Sequence, residues 1–157
     1  MSLIRKYDPA ADYPALRACF IELQGWERQF EPSMPEPEDA ADPYLADMLA
    51  RCAASGGHVF VAEQDGAIAG FVCLMARVGP DLDESTELYA YVSDLVVRAA
   101  HRGQGIGRRL MATAEAAARA AQSKRLKVGV LAANKRASDF YRAGDFREHT
   151  IGLVKNL

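Results

Sequence analysis

The spacing of apolar residues along the first third of the chain predicts one short strand and two helices. The run SLIRKY at 2–7 predicts a short first strand, and Leu16, Phe20 and Leu23 recur at helical spacing within 10–24. A second helix is expected to begin at Asp42-Pro43 and to end before Gly56-Gly57. The stretch between the two helices, 25–43, is rich in proline and acidic residues, so we expect a surface loop with short helical pieces.

The rest of the pattern is richer in strands. Two β-rich runs at 58–64 and 67–78 flank Asp65-Gly66, a dipeptide typical of a tight hairpin, and a third long strand is expected at 87–97. The pattern then predicts a helix at 107–123, a strand at 125–132, a short helix at 134–143 and a last strand at 146–156. The order β-α-α-β-β-β-α-β-α-β predicts a mixed α/β (α+β) fold with helices packed on one central sheet, in a single domain spanning residues 1–157.

Composition narrows the class of protein. The net charge of −2 provides no general basic field for nucleic-acid phosphates. No stretch approaches the roughly 18 apolar residues that a membrane helix needs, so the sequence predicts a cytoplasmic protein without a membrane segment. Cys19, Cys52 and Cys73 lie far apart and predict small core residues. The histidines show no metal-ligand spacing, and no metal site is expected.

A glycine-rich turn lies between the third long strand and the next helix. Gly103, Gly105 and Gly107 occupy a strand-turn-helix context, which suits either anion binding by free backbone N–H groups or a tight packed connection. The Walker pattern requires Gly-Lys followed by Ser or Thr, which the chain lacks. The dinucleotide fingerprint requires a third glycine where Arg108 stands, so neither familiar phosphate loop fits.

The turn matches a different pattern, R-x-x-G-x-G, over residues 102–107, and a second block follows with Asn134, Phe140-Tyr141 and Phe146. Together these blocks resemble the GCN5-related N-acetyltransferase (GNAT) superfamily, and the order of elements agrees along essentially the whole chain. The resemblance implies a central mixed, mainly antiparallel sheet flanked by helices. One departure is that Asp145 stands where the family usually has glycine, with Gly144 one place earlier.

The resemblance implies that the protein uses acetyl-CoA. The pyrophosphate would bind at the glycine loop, and the pantetheine arm would lie along the third long strand, which in this family splays from its neighbour at a bulge. Asn134 could cap the following helix as well as contact the cofactor. The implied cofactor-binding residues are Leu95, Val96, Val97, Arg102, Gly103, Gln104, Gly105, Ile106, Gly107, Arg108, Asn134 and Tyr141.

The implied reaction is direct attack of an amine on the thioester. Tyr141 would protonate the leaving thiolate, and a backbone N–H near Val96 or Val97 would stabilise the oxyanion. Asp94 and Glu63 are candidates for the base that takes the proton of the amine, although Asp94 could equally be a structural carboxylate.

The acceptor is suggested by the acidic stretch between the first two helices. Trp26, Glu27, Phe30 and Glu31 could form an electronegative rim that attracts a cationic small molecule or peptide, or they could belong to a solvated loop. The alternative to an enzyme is a CoA-binding sensor or interaction module without turnover. The resemblance also implies a homodimer as one possible assembly.

Overall fold

Five strands form one sheet in the order β1-β2-β3-β4-β5. The computed structural model describes residues 1–80 and 86–157. The composition of the segment 79–85, GPDLDES, predicts a turn between the second and third long strands, and part of that turn lies outside the described residues. The elements are β1 (Leu3–Lys6), α1 (Tyr13–Glu27), α2 (Pro37–Ala54), β2 (His58–Gln64), β3 (Ala67–Val78), β4 (Tyr89–Val97), a 3₁₀ turn (Ala99–His101), α3 (Ile106–Ala120), β5 (Leu126–Val128) and α4 (Lys135–Arg142). The mixed fold class predicted from the sequence is confirmed, and the predicted order of elements holds through α4.

The first four strands pair antiparallel, whereas β5 runs parallel to β4. The helices α1 and α2 cover one face, where Leu16, Leu45 and Phe71 are buried. The helix α3 covers the other face with a stripe of small and aliphatic residues that includes Leu110 and Ala114. Two apolar layers therefore hold the sheet between the helices.

The hairpin and the cysteines follow the sequence prediction. Asp65 and Gly66 both have positive φ, 52° and 77°, as a two-residue turn between twisted strands requires. Cys19, Cys52 and Cys73 are buried and free. Among the described residues, no helix is both long and apolar enough to span a bilayer.

The boundaries of the first two helices differ from the prediction. α1 begins at Tyr13, so Pro14 lies in its first turn, where its missing N–H costs no hydrogen bond, and the helix continues to Glu27. The predicted start of α2 at Asp42-Pro43 is wrong, because the helix begins at Pro37 and contains Pro43. Pro37 suits the first helical position, because its ring fixes φ near the helical value. At Pro43, inside the helix, one backbone hydrogen bond is lost, and the burial of residues such as Leu45 outweighs that loss.

A β-bulge interrupts β4 at Ser93. Cys73 pairs with Asp94 and Leu74 pairs with Val92, so Ser93 is the extra residue on β4. Side chains alternate between the two faces of a strand, and one extra residue reverses the alternation beyond it. Val92 therefore packs beneath α3, whereas Asp94 faces α2.

The last predicted strand, at 146–156, is not formed. A strand requires a neighbouring strand for its hydrogen bonds, and within the described chain this segment pairs with none. At its start Asp145 adopts the left-handed conformation with φ 66°, so Asp145 rather than Gly144 makes the turn after α4. The Phe146 N–H donates to the Tyr141 carbonyl oxygen at 3.1 Å and closes the helix end.

Candidate functional site

A cavity of about 760 Å³ opens where β4 and β5 diverge. The register between the two strands ends at Val92 and Val128, beyond which β4 continues without β5 beside it. The walls are the end of β4, the glycine loop, the segment after β5, α4 and the C-terminal end of α1. The bulge at Ser93 thus coincides with the point at which the sheet splits, as the sequence resemblance implied.

The glycine loop borders this cavity and leads into α3. Gly103 and Gly105 both have φ 77°, which favours glycine, and a side-chain carbon at either position would meet no atom within 4 Å. Gly107 is different, since a side-chain carbon there would lie 3.3 Å from the Phe140 ring. The first two glycines therefore leave backbone exposed to the cavity at the start of a helix, where unpaired N–H groups favour an anion. The third glycine serves the packing of α3 against α4.

Three arginines line the same end of the cavity: Arg102, Arg108 and Arg136. Burial and the charge of Arg136 lower the pKa of Arg102, while Glu22, 3.7 Å from it, opposes that shift. A bound phosphate would compensate these positive charges. The guanidinium of Arg102 also donates to the Val97 carbonyl oxygen at 2.9 Å. That carbonyl is therefore already engaged. The Val96 carbonyl oxygen lies against Gly70 of β3, so the backbone of Leu95 and the Val97 N–H are left to face the cleft.

Asp94 also lines the cavity and is 6% exposed. The Tyr44 hydroxyl donates to this carboxylate from α2, and the Ser93 hydroxyl donates to its Oδ2 at 2.7 Å. Burial raises the pKa of Asp94, and the two hydrogen bonds oppose the rise. Asp94 is thus a fixed, desolvated carboxylate with access to the cavity.

Glu27, the last residue of α1, lines the cavity near Asp94. Burial and the negative charge of Asp94 raise the pKa of Glu27. Tyr91 and Tyr141 line the same region, and burial followed by the charge of Asp94 raises the pKa of both phenols. The cavity lining therefore combines a basic group of residues at the glycine loop with an acidic, tyrosine-lined group between α1 and β4.

Tyr141 and Asn134 belong to α4. Tyr141 packs edge-on between Phe140 and Phe146, with ring centroids 5.3 and 5.5 Å away. Asn134 is buried and caps the helix, because its Oδ1 accepts the Ala137 N–H at 3.2 Å. Both side chains border the cavity. The cap fixes the start of the helix that presents Tyr141.

Several residues singled out from the sequence lie away from the cavity lining. Glu63 accepts the Arg5 Nε–H at 2.8 Å on β2, and Gln104 bonds to Gln64 at 3.1 Å. Phe30 packs edge-on against Trp26, and Glu31 accepts hydrogen bonds from Ser33. The cavity lining includes Leu95, Val96, Val97, Arg102, Gly103, Gly105, Ile106, Gly107, Arg108, Trp26 and Glu27.

Trp26 lines the cavity beside Arg102. The Arg102 guanidinium lies 5.7 Å from the ring centroid and occupies one face. Sequence reasoning also missed Tyr44, Tyr91 and Arg136. Folding brings these three residues to the cavity from separate parts of the chain. Only Arg136 could have been noticed in the sequence, because it lies two residues after Asn134.

The sequence matches the model of the acetyltransferase (GNAT) family over residues 21–145. The chain therefore belongs to this family, whose members use acetyl-CoA as the acetyl donor. None of the curated protein sequences matches it significantly.

Solved structures of other proteins share this fold, and three of them are compared with this chain by identity, coverage and TM-score. A mutant of the BH1408 protein from Bacillus halodurans is 20% identical, with TM-score 0.84 and 99% of each chain covered. A putative acetyltransferase from Agrobacterium tumefaciens is 24% identical, with TM-score 0.66 and 99% of each chain covered. AAC(6')-Iy, solved with the bisubstrate analogue CoA-S-monomethyl-acetylneamine, is 18% identical, with TM-score 0.71 and coverage of 100% of this chain and 99% of that one.

Proposed function

We propose that this protein is a cytoplasmic, single-domain N-acetyltransferase that moves an acetyl group from acetyl-CoA to a primary amine of a cationic small molecule or peptide. The observation that carries the proposal is the opposite charge at the two ends of one cavity. Arginines and free backbone N–H groups suit phosphates at one end, and Glu27 with Asp94 suits an ammonium group at the other.

At the basic end, the backbone at Gly103, Gly105, Gly107 and Arg108 would hold the pyrophosphate. The open backbone space at Gly103 and Gly105 supports this role. The backbone of Leu95 and the Val97 N–H would pair with the amide-bearing pantetheine arm in the manner of an added strand, because β5 has left their side of β4. Arg102 and Arg136 would neutralise the phosphate charge. The acetyl end of the donor would then lie between β4 and α4, near Tyr141.

At the acidic end, Glu27 would attract the protonated amine and Asp94 would take its proton. Asp94 suits this role because its raised pKa brings it closer to neutral pH than an ordinary carboxylate, and Tyr44 fixes its orientation. The neutral amine nitrogen would then form a bond to the carbonyl carbon, and the carbon–sulfur bond would break. Tyr141, whose raised pKa keeps the phenol protonated, would donate its proton to the departing thiolate, and the second proton that the nitrogen loses as the amide forms would restore the phenol.

Acetyl-CoA supplies the thioester, and the protein contributes the alignment of two reactants in one cleft. A backbone N–H near Val96 would stabilise the negative charge that develops on the carbonyl oxygen. The analogue bound by AAC(6')-Iy joins CoA to an acetylneamine, which is a precedent on this fold for an acceptor carrying amino groups.

The direct test is thiol release from acetyl-CoA across a panel of polycationic, neutral and acidic amines at low ionic strength, with mass spectrometry of the acetylated product. We expect release that requires an amine and is fastest with polycations. Binding of CoA without amine-dependent release across the panel would favour the alternative of a CoA-binding sensor. Faster reaction with acidic amines would contradict the cationic acceptor.

A further inference from the structure

Two carboxylates from separate elements face the acidic part of the cavity. Among the described residues, Glu27 and Asp94 are the acidic members of its lining. Glu27 ends α1 and is partly buried, whereas Asp94 follows the bulge of β4 and is buried. Burial, followed by the negative charge of Asp94, raises the pKa of Glu27. Two partly desolvated negative charges in one cavity both favour a cation, so a ligand with two positive groups suits them.

The acidic residues around the start of α2 are held by arginines outside the cavity lining. Arg28 contacts Glu36 at 2.6 Å, and Arg17 contacts Glu38 and Asp42, each at 3.1 Å. The opposite charges of an ion pair cancel much of each other's field at a distance. These three carboxylates therefore add little to the attraction of a cation, and the positive charge that the cavity can hold is set by its own two carboxylates.

Apolar and aromatic side chains form the wall around the two carboxylates. Those from α1 and the segment after it are Phe20, Leu23, Trp26 and Met34. Leu23 lies one turn before Glu27 on α1, and Phe20 stacks on the Tyr44 ring, whose hydroxyl contacts Asp94. A wall of this kind favours the burial of methylene groups.

The polar side chains in this wall already have hydrogen-bond partners. The Gln24 amide nitrogen donates to the Pro35 carbonyl oxygen at 3.1 Å. The hydroxyls of Ser93 and Tyr44 donate to Asp94. A hydroxyl of a bound sugar would have to compete with these bonds or lose its hydrogen bonds to water without replacement. The wall therefore disfavours amines that carry many hydroxyls.

We infer that the acceptor is an aliphatic diamine or polyamine, with its reacting amine at Asp94, its second ammonium group at Glu27 and its methylene chain against the apolar wall. This inference rests on the proposed acetyl transfer and adds the class of acceptor to it. Asp94 becomes neutral when it takes a proton from the reacting amine. The charge that remains is that of Glu27, which the second ammonium group balances.

The transfer then follows the proposed steps. The neutral nitrogen bonds to the acetyl carbon, CoA leaves as the thiol, and the product is an amide at one end of the chain with an ammonium group at the other. Because Glu27 and Asp94 belong to separate elements, and Tyr44 holds Asp94 in place, the two carboxylates also set a length. The rate should therefore pass through a maximum as the methylene spacer lengthens, rather than rise steadily with apolar surface.

The test compares straight-chain diamines, from diaminopropane to diaminooctane, with alkyl monoamines of equal length, with glucosamine and with a short peptide that has a free N-terminus. Thiol release from acetyl-CoA gives the rate, and mass spectrometry identifies the product. We expect kcat/KM for the best diamine to exceed that of the matching monoamine and of glucosamine by about tenfold or more. Glu27→Gln should remove the preference for the diamine over the monoamine. Glu31→Gln is the matched control, because Glu31 lies outside the cavity lining.

Binding without turnover provides a second readout. Calorimetry in the presence of CoA, which has no acetyl group to transfer, gives the Kd of each amine. We expect Glu27→Gln to weaken binding of the best diamine by about tenfold and to leave that of the monoamine unchanged. The rise in Tm that CoA produces establishes that the variant is folded with an intact cofactor site.

The outcomes separate this inference from the function on which it rests. Amine-dependent release in which monoamines, glucosamine or the peptide match the diamines would overturn the inference and leave acetyl transfer standing. A rate that rises steadily with chain length, or a preference for diamines that survives Glu27→Gln, would do the same. CoA binding without release for any amine would contradict the proposed function itself, and this inference with it.

Discussion

The Tyr44 hydroxyl lies 3.0 Å from both carboxylate oxygens of Asp94, and this contact joins α2 to the bulged part of β4. The two residues are far apart in sequence, and the Tyr44 ring is held in place by stacking on Phe20 at 4.7 Å. The hydroxyl favours the charged form of this carboxylate and so opposes the rise in its pKa that burial causes. Tyr44 is therefore a positioning residue whose effect should be visible in the pH dependence of the reaction.

Tyr44→Phe should move the acidic limb of the kcat/KM profile to higher pH, because loss of the hydrogen bond raises the pKa of Asp94 further and protonated Asp94 cannot accept a proton. The measurement is the pH profile for one amine acceptor. Tyr91→Phe is the matched control, since Tyr91 lines the cavity without a described hydrogen bond to Asp94. The ionisation of the amine itself affects both profiles equally, so identical acidic limbs would argue against Asp94 as the base.

Asp94→Asn should change how folding stability depends on pH. The folded-state pKa of Asp94 is raised above its ordinary value of 3.8, so its favourable contribution is complete below that value and is lost as pH rises through the folded-state pKa. The variant should therefore gain stability relative to the wild type as pH increases from 3.8 through that window. Denaturant unfolding at several pH values measures the difference. A relative gain at low pH instead would show that the buried carboxylate is stabilised in its charged form.

Gly105→Asp should abolish the rise in Tm that acetyl-CoA produces, since it places a negative charge where the phosphate is expected. Gly105→Asn is the matched control, because asparagine has nearly the same shape, tolerates the φ of 77° comparably and carries no charge. We expect the asparagine variant to retain part of the shift. An undiminished Tm shift in the aspartate variant would show that the glycine loop is not part of the acetyl-CoA binding site.

Tyr141→Phe should lower kcat by about 10²-fold or more while cofactor affinity is preserved, which is the scale of a lost general acid. The ring contacts with Phe140 and Phe146 remain in this variant, so packing is conserved. Single-turnover rates isolate the chemical step, and CoA binding by calorimetry provides the control. Unchanged single-turnover rates would show that Tyr141 is not the general acid and only contributes to packing.

Local patterns predicted much of this fold, and the limits of the prediction are physical. The strands at 58–64 and 67–78 and their hairpin depend on alternation and turn chemistry, which are local, and the structure reproduces them. Pro43 misled the prediction of α2, because the packing of Leu45 and its neighbours outweighs a local preference. The final strand at 146–156 was predicted from propensity, but a strand also depends on a partner that the pattern cannot supply.

The lining of the cavity could be predicted where it belongs to a continuous sequence motif, and not where it depends on contacts between distant parts of the chain. The glycine loop and α4 border one cavity, as the two sequence blocks suggested. The contact of Tyr44 with Asp94 required the bulge at Ser93, which reverses the side-chain alternation of β4. A single extra residue in a strand does not change the hydrophobic periodicity of the sequence enough for the bulge to be predicted.

The central claim is that one cavity binds an anion at one end and a cation at the other, and paired Michaelis constants test it most directly. Arg136→Gln and Glu27→Gln each remove one charge without a large change in shape, and Glu31→Gln is the matched control because Glu31 lies outside the cavity lining. We predict that Arg136→Gln raises the KM for acetyl-CoA alone, that Glu27→Gln raises the KM for a polycationic amine alone, and that Glu31→Gln changes neither. If Glu27→Gln raised the KM for acetyl-CoA, or left the KM for the amine unchanged, the two-ended cavity would be contradicted.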